Sequence, residues 1–224
     1  MRRANGETTI IYDLDGTLID TAPDLIAAVN HVVATVGGQA VESSRLRPVV
    51  SYGGREMIRS ALAWQDLPSD ENNVGLLFDQ FVSYYGANIA VHSRPFPGLR
   101  DCLGAFATAG NPLGVCTNKL EALTHPLLHA LELHAPFATI TGRETFPVHK
   151  PDPRHLLATI ARANGNPTNA VMIGDSETDV KTARAAGIPV VGVTFGYTDV
   201  PVTELGCDAV ISHYNELPAA LASL

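Results

Sequence analysis

Short apolar, β-branched runs alternate with longer amphipathic runs along most of this chain, and few folds accommodate that rhythm. Residues 9–12, 113–116, 137–141, 170–173, 189–193 and 208–211 have the length and composition of buried strands. Between them the apolar spacing is helical. Leu99, Leu103, Phe106 and Ala107 share one face, and Gly110 is placed to stop that helix. A second helix, 155–163, has Asp152-Pro153 ahead of it and Gly165 behind, the order in which helices start and stop. A third, 179–186, ends at Gly187 and leads straight into the next strand. Strand and helix in turn specify an α/β protein, a Rossmann-like parallel sheet with helices on both faces.

One stretch breaks the rhythm. From Leu18 to Arg94 there are helical patterns and no strand. Thr21 is placed to cap a helix burying Leu25, Ile26, Val29, Val32, Val33 and Val36, which Gly37-Gly38 would end. Met57, Ile58, Ala61 and Leu62 mark another helix and residues 76–85 a third, with turns at Gly53-Gly54 and Leu67-Pro68-Ser69 between them. The expected organisation is an α/β core of residues 1–17 and 95–224, with an all-helical domain of residues 18–94 inserted after the first strand. Arg94-Pro95-Phe96-Pro97-Gly98 reads as the hinge that returns the chain to the core. A length of 224 residues suits one core carrying a smaller insertion.

Lys and Arg number 15 against 23 Asp and Glu, a formal net charge of −8. Such a protein is repelled by nucleic acid and by anionic membrane surfaces, so neither is an expected partner. Attraction for an anionic ligand must then come from a metal ion or a few placed cations. Cys102, Cys116 and Cys207 are widely spaced and form neither a disulfide framework nor a zinc pattern. Residues 1–9 contain basic side chains with no apolar run behind them, unlike a secretory leader. Apolar runs such as 190–193 are too short to cross a bilayer. A soluble protein of the reducing cytoplasm is expected.

Asp13-Leu14-Asp15-Gly16-Thr17 follows the first strand directly, at the sheet edge where open α/β proteins bind ligands. Residues two apart in extended chain point the same way, so Asp13 and Asp15 share one site. Adjacent carboxylates raise each other's pKa unless a cation relieves them. One can attack a substrate while the other moves a proton, although an Asp-Gly turn would use the same residues. Gly174-Asp175-Ser176-Glu177-Thr178-Asp179 also ends a strand. Two carboxylates four apart, one in a loop and one opening a helix, suit a hard, oxygen-liganded cation such as magnesium. Asp175 or Ser176 would equally cap the helix, and both roles can hold at once.

Thr117-Asn118 follows strand 113–116, where a hydroxyl and backbone amides either hold phosphate oxygens or cap a helix. Lys150 lies in the loop His149-Lys150-Pro151-Asp152-Pro153. A lone loop lysine is ordinarily solvent-exposed. This one stands out because the chain has only Lys119, Lys150 and Lys181, and four acids converging on a phosphate need a fixed cation.

Strand–Asp-x-Asp-x-Thr, strand–Thr, Lys-Pro and strand–Gly-Asp-x-x-x-Asp, in that order and each at a strand end, resemble the haloacid dehalogenase superfamily. The motifs run from Asp13 to Asp179. The helical insertion resembles the cap domain of the subgroup that contains phosphoglycolate phosphatases and β-phosphoglucomutases. Phe96-Pro97-Gly98, Thr117-Asn118-Lys119, Ala183-Arg184-Ala185-Ala186-Gly187 and Gly192-Val193-Thr194-Phe195-Gly196-Tyr197 look most like the phosphoglycolate phosphatase branch. Tyr12 stands where Phe is common in the family, a harmless departure.

The resemblance implies a phosphatase. Asp13 would attack phosphorus and form an aspartyl-phosphate, and Asp15 would act first as acid and then as base. Mg²⁺ would be held by Asp13, the backbone carbonyl of Asp15 and Asp175, with Asp179 orienting the shell. Thr117, Asn118 and Gly16 would meet the phosphoryl oxygens, Lys150 would balance the carboxylates, and Thr17 would support the first loop. The insertion would close over a small phosphorylated metabolite, and Arg55, in Tyr52-Gly53-Gly54-Arg55, would clamp a substrate carboxylate or simply start a surface helix. His31, His92, Trp64 and Cys116 are read as packing or surface residues.

Several relatives are set aside by residues. Asp15 favours phosphoryl transfer over dehalogenation, the absence of Lys between Leu18 and Arg94 argues against phosphonate cleavage through a Schiff base, and the transport ATPases carry Thr at position 15 and need membrane spans. A β-phosphoglucomutase-like isomerase uses the same core, and the C-terminal match favours hydrolysis over it. A binding-only member would lack the nucleophile or a metal ligand, and all are present. The expected substrate is 2-phosphoglycolate, with sugar phosphates and pyridoxal phosphate as alternatives. Monomer and homodimer fit the sequence equally.

Overall fold

The computed structural model describes residues 8–224, so the readings that fall on residues 1–7 lie outside them. Strand β1 (Thr9–Tyr12) is followed by a two-residue strand, β2 (Ile19–Asp20). Four helices come next: α1 (Ala22–Thr35), α2 (Ser43–Leu46), α3 (Gly54–Ala63) and α4 (Glu71–Ala87), with a 3-10 turn over Arg47–Tyr52. The chain returns through β3 (Arg94–Pro95). It then runs through α5 (Leu99–Thr108), β4 (Leu113–Cys116), α6 (Glu121–Ala130) and β5 (Thr139–Thr141). The remaining elements are α7 (Pro153–Arg162), β6 (Ala170–Gly174), α8 (Glu177–Ala186), β7 (Val190–Val193), β8 (Ala209–Ile211) and α9 (Leu217–Ala222).

Six strands form one parallel sheet in the order β5-β4-β1-β6-β7-β8. Side chains alternate across it. Ile10, Tyr12, Val171 and Ile173 enter one apolar cluster, while Ile11, Ala170 and Met172 enter another on the opposite face. With both faces covered, the strands are apolar without interruption, as the sequence anticipates. The sheet starts at its centre, builds outward through β4 and β5, and then builds the other way from β6. The crevice between those two directions lies at the carboxyl end of β1, where such sheets bind ligands.

The helices between β2 and β3 share a third cluster built on Leu25, Val29, Leu46, Met57, Ile58 and Phe81, joined by Leu123 and Tyr197 from outside the insertion. Capping is supplied locally: Asp70 accepts from Asn72 N and Asn73 N at the start of α4. Among the described residues no helix is long and apolar enough to cross a membrane.

The structure corrects several expectations. The stretch read as strand-free opens and closes on an antiparallel ribbon, Ile19 opposite Pro95 and Asp20 opposite Arg94. Two-residue strands are too short to show a period. Thr21 precedes α1 but does not cap it. Pro23 has no N–H to satisfy and the Ala22 N–H goes to Tyr197 Oη at 3.0 Å, leaving the Thr21 hydroxyl free to bond Asp15. Val36 falls just past the last turn and is 45% exposed. Phe137 lies outside β5, its N–H bonded to His134 O. Helix α6 was not expected, its pattern being obscured by Pro126 inside it.

Candidate active site

The register of three neighbouring strands assembles the site. Tyr12 pairs with Val115 on one side and Ile173 on the other, so Asp13 leaves the sheet beside Thr117 and Asp175. Asp13, Asp175 and Asp179 each bring a carboxylate oxygen within 4.8 Å of the others. Lys150 Nζ lies 2.9 Å from Asp13 Oδ1 and 2.6 Å from Asp179 Oδ1. All four residues are at least nine-tenths buried, so the expectation that a loop lysine is exposed does not hold for Lys150.

Each carboxylate is oriented by its own neighbours. Asp175 accepts from Thr17 Oγ1 at 2.8 Å and from the Tyr197 N–H at 2.8 Å. Glycine is required against it: a Cβ on Gly16, whose φ is +79°, would sit 2.4 Å from Asp175 Oδ2, and one on Gly196 would sit 2.2 Å from Asp175 Cβ. Asp179 Oδ2 accepts from Ser176 N at 3.1 Å and Ser176 Oγ at 2.6 Å, and Asp179 N bonds back to Ser176 Oγ. Ser176 therefore caps α8 through a capping box, while the other oxygen of Asp179 faces Lys150. Capping and site roles coexist in one residue.

Asp15 turns away from this group. Its Oδ1 accepts from Thr21 Oγ1 at 2.7 Å and from Lys119 Nζ at 3.0 Å. Lys119 is buried, with Nζ 4.5 Å from the centre of the Tyr85 ring on α4. Asn118 donates from Nδ2 to Lys150 O at 3.0 Å, while its buried Oδ1 has no partner among the described residues. The Thr117 hydroxyl accepts from Lys119 N, and its own N–H bonds Thr141 O.

Burial raises the Asp13 carboxyl to about 6 and the charge of Asp179 adds to the effect, opposed by Lys150. Burial, then Asp179 and Asp13, lifts Asp175 to about 8. Burial pulls Lys150 down, but Asp13 and Asp179 together carry it above its ordinary value. One lysine does not neutralise three buried acids. Asp13 Oδ1 meets Lys150 as its one ion-pair partner among the described residues, and three buried carboxylates within 4.8 Å of one another form an all-oxygen donor set that fits a hard divalent cation.

The site opens into a cavity of about 440 Å³. Its floor includes Asp13, Asp15, Asp175 and Thr117, and its other wall comes from the insertion, with Tyr52, Arg55, Phe81 and Tyr85. Arg55 is half-exposed. It pairs with Glu71 at 3.0 Å and lies over the Phe78 ring.

Residues 10–193 match the family model of the haloacid dehalogenase-like hydrolases. The chain belongs to that family. This hydrolase is 48% identical over 213 residues to a phosphoglycolate phosphatase of Mesorhizobium japonicum, an overlap that spans 95% of this chain and 94% of the other. A phosphoglycolate phosphatase of Agrobacterium fabrum is 45% identical over 94% of this chain and 91% of its own length. Among solved structures, a predicted phosphoglycolate phosphatase from Haemophilus somnus superposes with a TM-score of 0.88 at 27% identity, covering 95% of this chain and 97% of that one.

The roles of three residues at the hydrolase's candidate site escaped sequence reasoning. Lys119 was visible as one of three lysines and in Thr117-Asn118-Lys119, but without a role, because its partner Asp15 is 104 positions away. Tyr197 donates its N–H to Asp175 and its hydroxyl to Asp20 Oδ1 at 2.6 Å, spanning 177 positions. Arg143 lines the cavity and no local pattern marks it.

Proposed function

We propose that this hydrolase removes phosphate from a small phosphate monoester, 2-phosphoglycolate, through an aspartyl-phosphate on Asp13. Two facts support the reading together. Three buried acids and Lys150 cluster at a cavity lined by Asp13 and Asp175, and the chain is 42 to 48% identical to three proteins named phosphoglycolate phosphatase.

Asp13, Asp175 and the backbone carbonyl of Asp15 would hold Mg²⁺, with Asp179 orienting the shell. Bound there, the ion supplies charge neutralisation and alignment of the phosphoryl group. A carboxylate oxygen of Asp13 forms a bond to phosphorus as the bond to the ester oxygen breaks, and Asp15 gives its proton to the departing alkoxide. Asp15, now ionised, takes a proton from water. The resulting hydroxide attacks phosphorus, releasing inorganic phosphate and restoring Asp13. Thr117, Asn118 and the Gly16 backbone meet the phosphoryl oxygens. Lys150 offsets the charge of Asp13 and Asp179, and Thr17 fixes Asp175. The insertion acts as the cap, residues 18–94 on a core of 1–17 and 95–224, and Arg55 stands on its wall of the cavity. We place the enzyme in the cytoplasm, acting on a metabolite rather than on nucleic acid or membrane.

The test is phosphate release from 2-phosphoglycolate, β-glucose 1-phosphate and pyridoxal phosphate, with and without Mg²⁺. Metal-dependent preference for 2-phosphoglycolate is expected. Preference for the sugar phosphate, or its isomerisation without phosphate release, would overturn the substrate assignment and return the β-phosphoglucomutase-like reading.

A further inference from the structure

A substrate with two anionic ends needs a second cation besides the group that meets the phosphate. Among the described residues, Arg55, Lys119 and Arg143 are the cationic residues that line the cavity. Two are already committed. Lys119 is buried and holds Asp15 through both oxygens, at 3.0 and 3.2 Å. Arg55 pairs with Glu71, stacks on Phe78 and belongs to the insertion rather than to the core. The Arg143 side chain is exposed, and among the described residues no ion pair or hydrogen bond is made by its guanidinium, its backbone N–H alone being bonded, to Lys119 O.

Its placement is fixed by the core alone. Cys116 is opposite Thr141 in the sheet, so the loops after β4 and β5 leave side by side. Thr117 N donates to Thr141 O at 3.1 Å, and Arg143 N donates to Lys119 O at 2.9 Å. Gly142 lies so close that a Cβ there would be 2.7 Å from Glu121 N. Arg143 is thus tied by its backbone to the segment 117–119 that would bind phosphate, and its distance from that segment does not depend on where the insertion sits.

From this geometry we infer that Arg143 binds the carboxylate of a carboxylated phosphate monoester and is the specificity-determining residue of the site. The inference rests on the phosphatase reading above and deepens it. A planar guanidinium with no competing anion can take a carboxylate through two parallel hydrogen bonds.

The experiment compares wild type with Arg143→Met and Arg143→Lys on 2-phosphoglycolate and on 2-hydroxyethyl phosphate, which differs by having an alcohol in place of the carboxylate. The kcat/KM ratio of the two esters should fall by about 10- to 100-fold in Arg143→Met, chiefly through KM, and recover in part in Arg143→Lys. A ratio within about twofold of wild type would overturn the inference. A second measurement separates it from the substrate assignment. 3-Phosphonopropionate, with methylene in place of the ester oxygen, should inhibit competitively and lose affinity in Arg143→Met, while inorganic phosphate inhibits both proteins alike. If wild type does not prefer 2-phosphoglycolate yet this affinity depends on Arg143, the substrate assignment fails and the carboxylate site stands. If the affinity does not depend on Arg143, the carboxylate site fails.

Discussion

The two walls of the cavity are built on different principles. On the core side, Asp13, Asp175, Asp179 and Lys150 are buried, and each is held by partners from at least one other segment. On the insertion side, Tyr52 and Arg55 are exposed or half-exposed, each tied to one exposed carboxylate, Asp199 and Glu71. Exposed pairs of that kind contribute about 0–1 kcal/mol, whereas removing one partner of a buried pair costs about 3–5 kcal/mol. Groups that would do chemistry are locked, and the exposed side chains that would meet the variable end of a substrate, Arg143 of the core included, lack buried partners. One scaffold can then keep its reaction while its selectivity drifts.

The largest effect that sharpens this contrast is on turnover. Asp13→Asn should keep the fold, checked by circular dichroism, and lower Mg²⁺-dependent phosphate release by at least about 10⁴-fold. Clear residual turnover would remove Asp13 from the nucleophile role. Lys150→Met should cost about 3–5 kcal/mol in denaturant unfolding, because it strands two buried acids. A loss under about 1 kcal/mol would erase the distinction between the two walls.

Met57→Ala, in the cluster of the insertion, should cost about 2–5 kcal/mol there. Amide exchange should accelerate in α1, α3 and α4 more than in β1 and β6, and uniform acceleration would show that the insertion and the core open as one unit.

The burial-raised carboxyls give a prediction with a definite sign. Asp13 and Asp175 rise from 3.8 to about 6 and about 8, so the folded metal-free protein binds protons more tightly than the unfolded chain. Stability contributed at low pH is therefore lost as pH rises from about 4 to about 8. Calorimetry should show the melting temperature falling over that range, with Mg²⁺ restoring more at pH 8 than at pH 5. A metal-independent, flat profile would contradict the crowding of acids described above.

Arg55→Ala should be the mildest change, moving stability by about 1 kcal/mol or less and altering the ester ratio less than Arg143→Met does. A larger effect at Arg55 would move carboxylate selection to the insertion and overturn its assignment to Arg143.

How far the sequence was legible follows the same division. The central strand, its flanking strands and the acids at their ends could be read because each signal is local: an apolar run followed by Asp, or Ser176 three residues before Asp179. The insertion was legible only as helices. Its two-residue ribbon lies below any window, and a misplaced cap at Thr21 reflects bonds made to Asp15 and Tyr197, which no local pattern encodes. Lys119, Arg143 and Tyr197 acquire their roles from partners or walls far along the chain, and only the folded sheet brings those together.

Tyr197 shows what that joining implies for recombination. One residue steadies Asp175 through its backbone, and its hydroxyl bonds Asp20 and Ala22 at the exact seam where the insertion begins. A helical module transplanted from another protein in place of residues 20–93 would inherit this hydroxyl. Unless it supplied an acceptor and an N–H in those places, the hydroxyl would be left buried and unpaired on the residue whose N–H holds Asp175. Modularity in this molecule is therefore limited at the splice point rather than in the helices that would be exchanged.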